Sequence, residues 1–186
     1  PTNNVKSYDS CTVNNKIYII GGKPLSVAVN YNYIYNPITD AFENGASRPA
    51  GIYAAATFVM DDTNIISAMG QTPENTPTDV VYKFNTVANT WDSGIPPVTP
   101  EKLANVKAVT INNKGYTFGG AISAQVTNTT YVYDGVEWGL LSNRTTVPPG
   151  RFSHGWAAYD DKAYLMGGRN SAGYFNDFWV FTPSDS

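Results

Sequence analysis

The run Ile17-Tyr18-Ile19-Ile20-Gly21-Gly22 closes an apolar stretch on a glycine pair, and the phrase returns as IISAMG ending at Gly70, GYTFGG ending at Gly120 and AYLMGG ending at Gly168. The second glycines stand 48, 50 and 48 residues apart. A fixed period of this size signals a repeat architecture, so the fold is decided by the repeat before any local propensity is weighed. Each pair is followed by a loop and an alternating aromatic run: YIYN ending at Asn36, VYKFN at Asn85, TYVYD at Asp134 and FWVFT at Thr182. Their aromatics Tyr35, Phe84, Tyr133 and Phe181 are spaced 49, 49 and 48, and a third landmark, Phe42, Trp91 and Trp138, follows at 7, 7 and 5 residues.

Each unit reads as four short strands. Between the first and second strands lie Asn14-Asn15, Asp61-Asp62, Asn112-Asn113 and Asp160-Asp161, residues that tolerate the positive φ of a two-residue hairpin turn. Aligned on the glycines, with one extra residue in the second unit, one column of the first strand holds Cys11, Phe58, Val109 and Ala157; two residues on come Val13, Met60, Ile111 and Tyr159. Between them lie Ser10, Thr57, Ala108 and Trp156, so apolar residues alternate with smaller or more polar ones, the period of a strand. No stretch competes as a helix. The expected fold is all-β, in four units at about 1–46, 47–95, 96–143 and 144–186.

A glycine pair, an aromatic followed by Asn or Asp, and then Trp, recurring at close to 50 residues, resembles the kelch repeat over nearly the whole chain. The resemblance implies a β-propeller in which each repeat is one four-stranded blade around a central axis. Two departures stand out: Met69 replaces the first glycine of its pair, and the third unit shortens its last turn to Asp134-Gly135-Val136-Glu137-Trp138. A WD40 reading fails, because Trp91-Asp92 occurs once and the period is too long. The fourth unit ends at Ser186 inside its third turn, and only about seven residues precede the first strand, too few to supply an outer strand and its loop. The expectation is part of a larger ring, or a piece completed by another chain, rather than a sealed four-bladed ring. The chain opens at Pro1 without a signal-like apolar region and reads as a processed form or an excised piece.

Composition narrows the function. The 186 residues are 42% hydrophobic and 15% charged with a net charge of −3, so the broad basic footprint of a nucleic-acid binder is missing and no nucleic-acid partner is expected. The longest uncharged, mostly apolar stretch, Gly51 to Met60, falls far short of the roughly 20 residues of a membrane span. One cysteine excludes an internal disulfide, and with a single histidine leaves too few soft ligands for a metal or redox cofactor. His154 and Cys11 both fall on strand columns and read as structural. Some kelch propellers are copper radical oxidases similar to galactose oxidase, which need two histidines, two tyrosines and a cysteine crosslinked to one of the tyrosines; a single histidine cannot serve. The pairs Asp61-Asp62 and Asp160-Asp161 match Asn14-Asn15 and Asn112-Asn113 and read as turn residues. Sequons at Asn128 and Asn143 are no more than this composition yields by chance. High Asn, Thr and Tyr with low charge leans toward a secreted or cell-surface protein.

In a four-stranded meander, the loops from second to third strand and from outer strand to next blade leave by one face. All four arginines fall in those loops: Arg48, Arg144 and Arg151 between blades and Arg169 after the fourth glycine pair, with Lys23 and Lys102 beside them. These six are the candidate ligand-binding residues; no catalytic set is found. The face also carries the long loops 23–31, 71–78, 121–129 and 169–173 and the Pro-rich joins around Arg48, Pro96-Pro97 and Pro148-Pro149. Asp40, Asp61, Asp62, Asp134, Glu137, Asp160 and Asp161 fall on the opposite side. The reading is a non-catalytic binding module holding a protein or carbohydrate-like ligand on the loop face, with self-association or completion by further blades as the expectation for its open edges. The alternative is a fragment of a larger kelch-propeller enzyme acting on sugars, its catalytic residues lying in other blades.

Overall fold

The computed structural model describes residues 5–93, 98–123, 125–142 and 146–183. Among them no α-helix occurs, and the principal strands form four antiparallel sheets, one per repeat. Blade 1 runs Asp9–Val13, Lys16–Ile20, Asn32–Asn36 and Ala41–Asn44; blade 2 runs Ala56–Val59, Asn64–Ala68, Val81–Asn85 and Thr90–Ser93. Blade 3 runs Lys107–Ile111, Lys114–Phe118, Thr130–Tyr133 and Trp138–Leu140. Blade 4 has three strands, Gly155–Tyr159, Lys162–Met166 and Phe178–Phe181. The inner strands pack in chain order, 1 on 2, 2 on 3 and 3 on 4.

The motif residues build the turns. Asn14-Asn15, Asn112-Asn113 and Asp160-Asp161 take positive φ, as a two-residue hairpin requires. Blade 2 departs from the expectation: its extra residue gives a longer turn, Met60 N–H donates to the Asn64 carbonyl (2.9 Å), and Asp61 Oδ1 accepts from the amides of Thr63 (2.7 Å) and Asn64 (2.8 Å). The Asn or Asp after the third-strand aromatic is a second such device. Asn36 Oδ1 accepts from Ile38 N–H, Asn85 Oδ1 from Val87 and Ala88, and Asp134 Oδ1 from Val136 and Glu137, which starts each third turn.

The glycine pair joins blades. Gly22, Gly70 and Gly120 donate their amides to the carbonyls of Ile52, Leu103 and Arg151, each in the segment leading into the next blade. That approach leaves no room for a side chain: a Cβ on Gly21 would lie 2.4 Å from the Ile52 oxygen, and one on Gly119 2.5 Å from the Arg151 oxygen. Met69 adopts the same conformation (φ 62°) and is buried in the core between blades 2 and 3, where its apolar contacts offset the strain.

Side chains then fill the wedges between blades. Phe58, Ile66 and Val81 of blade 2 meet Leu103, Tyr131 and Tyr133 of blade 3, while Tyr18, Ile20 and Ile34 of blade 1 meet Ile65 and Phe84 of blade 2. The tryptophan landmarks close the outer ends of these wedges: Trp91 packs on Phe84 (4.9 Å) and donates to the Ala46 carbonyl of blade 1 (2.7 Å), and Trp138 lies 6.1 Å from Phe58. The end blades differ. On blade 4, Tyr159 (76% exposed), Met166 (63%) and Phe178 (61%) face outward, in columns whose blade 2 members are packed against blade 3. Phe42 of blade 1, the partner of Trp91 and Trp138 in sequence, stacks on Tyr35 but stays half exposed.

Candidate functional site

The structure divides the five loop-face cations that it describes into groups that serve different ends. Arg48 and Arg151 are wholly buried. Arg48 donates from Nε to the Ala50 carbonyl (3.1 Å), from Nη1 to Ser67 Oγ (2.8 Å) and from Nη2 to the Ile52 carbonyl, clamping the join between blades 1 and 2. Burial lowers its pKa to about 10, with Asp9 opposing. Arg151 donates from Nε to the Pro149 carbonyl (3.1 Å), from Nη1 to the Gly167 carbonyl (2.8 Å), and from Nη1 and Nη2 to the two oxygens of Asp177 (2.5 and 2.7 Å), with its guanidinium 3.9 Å from the Phe175 ring. The Arg151 hydrogen bonds hold the Asp177 carboxyl down at about 2. Placing these two arginines on a ligand-facing rim is therefore corrected. Each has its donors turned inward because the repeat leaves backbone carbonyls beside the glycine pair that need partners.

Lys23, Lys102 and Arg169 lie nearer the surface. Lys23 Nζ donates to Asn75 Oδ1 (2.6 Å) over the Tyr53 ring, and Lys102 is exposed, 4.0 Å from an oxygen of Asp79. Arg144 lies outside the described residues, as do Pro96-Pro97 and Asn143. Arg169 is exposed, its guanidinium 4.7 Å from the Phe152 ring. The loop 169–173 forms a short ribbon, Arg169–Asn170 with Gly173–Tyr174, and the loop 121–129 forms another, Ala121–Ile122 with Gln125–Val126. Between these ribbons opens a cleft of about 290 Å³ lined by Asn105, Ser123, Val126, Phe152, Arg169 and Asn170. Of the five candidates among the described residues, the structure places Arg169 alone in this cleft.

A second concavity follows the axis. Residues of all four inner strands, among them Asp9, Thr57, Lys107 and Trp156, line a cavity of about 470 Å³; another of about 290 Å³ shares Tyr8, Asp9, Lys107 and His154 with it and extends to Ser7, Asn105 and Ser153. Ser7, Ala54, Asn105 and Ser153 all have positive φ two residues before their inner strands, so the four segments enter the channel alike. His154 is 3% exposed against the Phe118 ring, and burial, with Arg151 and Lys107 adding to it, lowers its pKa to about 4. Burial, with Asp9 adding to it, pushes the Cys11 thiol up to about 12. At physiological pH the Cys11 thiol is therefore protonated and a poor nucleophile, and an imidazole with so low a pKa is a weak base. Among the described residues no group of three or more His, Cys, Asp or Glu side chains could hold a metal, and no helix is long and apolar enough to cross a membrane.

The profile of the KLHDC2/KLHL20/DRC7 Kelch-repeats domain matches residues 7–186, nearly all of the chain. The chain belongs to the kelch-repeat family. A curated relative, Tip elongation aberrant protein 1 of Schizosaccharomyces pombe, is 39% identical over 49 residues, one repeat period, which is 26% of this chain and 4% of that protein. The solved structure of YjhT is similar over 100% of this chain and 68% of its own, with a TM-score of 0.82 at 14% identity. At that identity the likeness concerns the fold alone, and it takes in all four blades.

Sequence reasoning missed the axial channel. Its signal was one column of the first strand, Asp9, Ala56, Lys107 and Gly155, where two charged residues stand in positions that the other blades fill with Ala and Gly. It also missed Asp177 and Ser67, the partners that take Arg151 and Arg48 inward.

Proposed function

We propose that this kelch domain is a non-catalytic binding module whose loop face engages an acidic segment of a protein partner. The observation that carries this reading is the cleft between blades 3 and 4, where the Arg169 guanidinium is exposed beside Phe152 and flanked by amide and hydroxyl groups. An arginine fork suits carboxylates, and a rigid scaffold holding loops of this kind is where recognition residues concentrate. The weakly basic, buried His154 and the protonated Cys11 thiol favour binding over catalysis. The exposed apolar columns of blade 4 further support completion of the ring by additional blades.

The test is an array of acidic, neutral and basic peptides run beside a glycan array, followed by titration of the strongest binders. Acidic peptides should bind the wild-type chain and lose affinity in Arg169→Ala, while Lys16→Ala, Lys114→Ala and Lys162→Ala on the opposite face leave binding unchanged. A rim contact of this sort is worth about 1 kcal/mol and a buried one about 2 kcal/mol or more. Glycan binding without peptide binding, or losses confined to the three lysines, refutes the reading.

A further inference from the structure

We infer that the axial channel is a second ligand site, independent of the loop-face cleft, and that it takes a small zwitterion bearing an ammonium and a carboxylate, as an amino acid does. Asp9 and Lys107 occupy the same position on the inner strands of blades 1 and 3, paired across their hairpins with Ile20 and Phe118. Blade 2 lies between them, and both side chains line the same cavity of about 470 Å³, within the roughly 300–1,000 Å³ of small-molecule sites. Neither charge is required by the fold, since Ala56 and Gly155 serve the same position in blades 2 and 4.

The two opposite charges share a cavity without sharing a bond. Among the described residues neither forms an ion pair, and the hydrogen bond assigned to the Asp9 carboxylate comes from the Ala55 amide (3.2 Å). The guanidinium of Arg48, the buried cation that acts most strongly on Asp9, directs its hydrogen bonds to Ser67 and two carbonyls. Asp9 is also expensive to keep: burial pushes its carboxyl up to about 7 against the opposing influence of Arg48, Lys107 and the Ala55 amide. A buried acid held at such a cost beside a cavity, with an opposite charge on the far wall, is the mark of a site and not of a packing position. A lone cation would satisfy Asp9 and be repelled by Lys107; a lone anion would meet the reverse. A molecule carrying both charges satisfies both walls, with Val106 and the Trp156 ring beside it for an apolar substituent.

Isothermal titration and ligand-observed NMR on the 186-residue chain would use alanine, β-alanine and γ-aminobutyrate, with propylamine and propionate as single-charge controls and myo-inositol as a neutral one. The expected result is that at least one zwitterion binds about tenfold or more tightly than either single-charge control. Asp9→Asn and Lys107→Met should each abolish that preference, while Lys114→Met keeps it; amide NMR spectra confirm that each variant is folded. No binding by any zwitterion up to about 10 mM, equal binding by a single-charge control or inositol, or a preference that survives both substitutions, overturns the assignment. These outcomes do not bear on Arg169 and its cleft.

Discussion

Asp9→Asn should stabilise the domain at pH 8 and at the same time expose an acid-side weakness that the wild type conceals. Burial raises the Asp9 carboxyl from 3.8 to about 7. Between pH 4 and 7 the folded chain therefore holds a proton that the unfolded chain has released, so stability falls as pH rises through that window. At about 1.4 kcal/mol per unit the effect amounts to about 4 kcal/mol. His154 acts in the opposite sense. Its pKa falls from 6.5 to about 4, so on acidification the unfolded chain takes up a proton that the folded chain refuses, and stability falls as pH drops, by about 3 kcal/mol. Both windows span the same range, and the wild type should vary little between pH 7 and 4.5. Asp9→Asn keeps an acceptor for the Ala55 amide, should gain up to about 4 kcal/mol at pH 8, and should weaken steadily below pH 6.5. His154→Phe, set against Phe118, should instead strengthen toward acid. Urea unfolding followed by tryptophan fluorescence at half-unit pH steps measures all three curves, with acid limits above the range where Asp177 titrates. Curves for wild type and Asp9→Asn that run parallel from pH 4.5 to 8 would refute the reasoning.

Three further outcomes are expected. Asp177→Ala leaves the buried Arg151 guanidinium without its bidentate partner and should cost about 3 kcal/mol of stability by chemical denaturation, whereas an effect below about 0.5 kcal/mol would place the pair among surface bridges. Gly21→Ala drives a methyl onto the Ile52 carbonyl at a positive φ and should cost about 3 kcal/mol, read as a fall in thermal midpoint; an unchanged midpoint would mean that the join between blades 1 and 2 yields easily. The outward apolar columns of blade 4 should make the isolated chain associate with rising concentration in sedimentation velocity, and Met166→Lys with Phe178→Lys should suppress it; a monomer at every concentration removes that face as an adhesive surface.

The repeat was legible because its landmarks are backbone devices. The glycine pair, the Asn or Asp after the third-strand aromatic and the two-residue turns each answer a conformational demand that recurs unchanged in every blade, so residue identity reports geometry directly. The one turn that departed, at Asp61, did so where an extra residue had already shifted the register. The arginines were less legible. The loop positions of Arg48, Arg151 and Arg169 were right, but a position does not reveal where a long flexible side chain ends. Arg48 and Arg151 end inside because carbonyls beside the glycine pairs and, for Arg151, Asp177 draw them there. Arg169 ends outside because its backbone is paired in a ribbon above Phe152, leaving the guanidinium to lie across that ring.

The bond from the second glycine amide to the next blade's lead-in carbonyl also explains why the columns can vary so widely. Its acceptors are the carbonyls of Ile52, Leu103 and Arg151, which share one structural position although two of the side chains are aliphatic and the third is a guanidinium. The angle between blades is thus held by main chain, and the side chain at the acceptor is released to other work: apolar filling in blades 2 and 3, an internal ion pair in blade 4. The same freedom operates on the channel side, where Asp9 and Lys107 stand in line with Ala56 and Gly155 without altering the hairpin register. A scaffold whose geometry is fixed by backbone bonds can place charge on its axis or loops independently in each blade. Charged residues that break an otherwise small or apolar column are therefore the positions at which a kelch domain's recognition chemistry should be sought, ahead of the arginines that merely begin its blades.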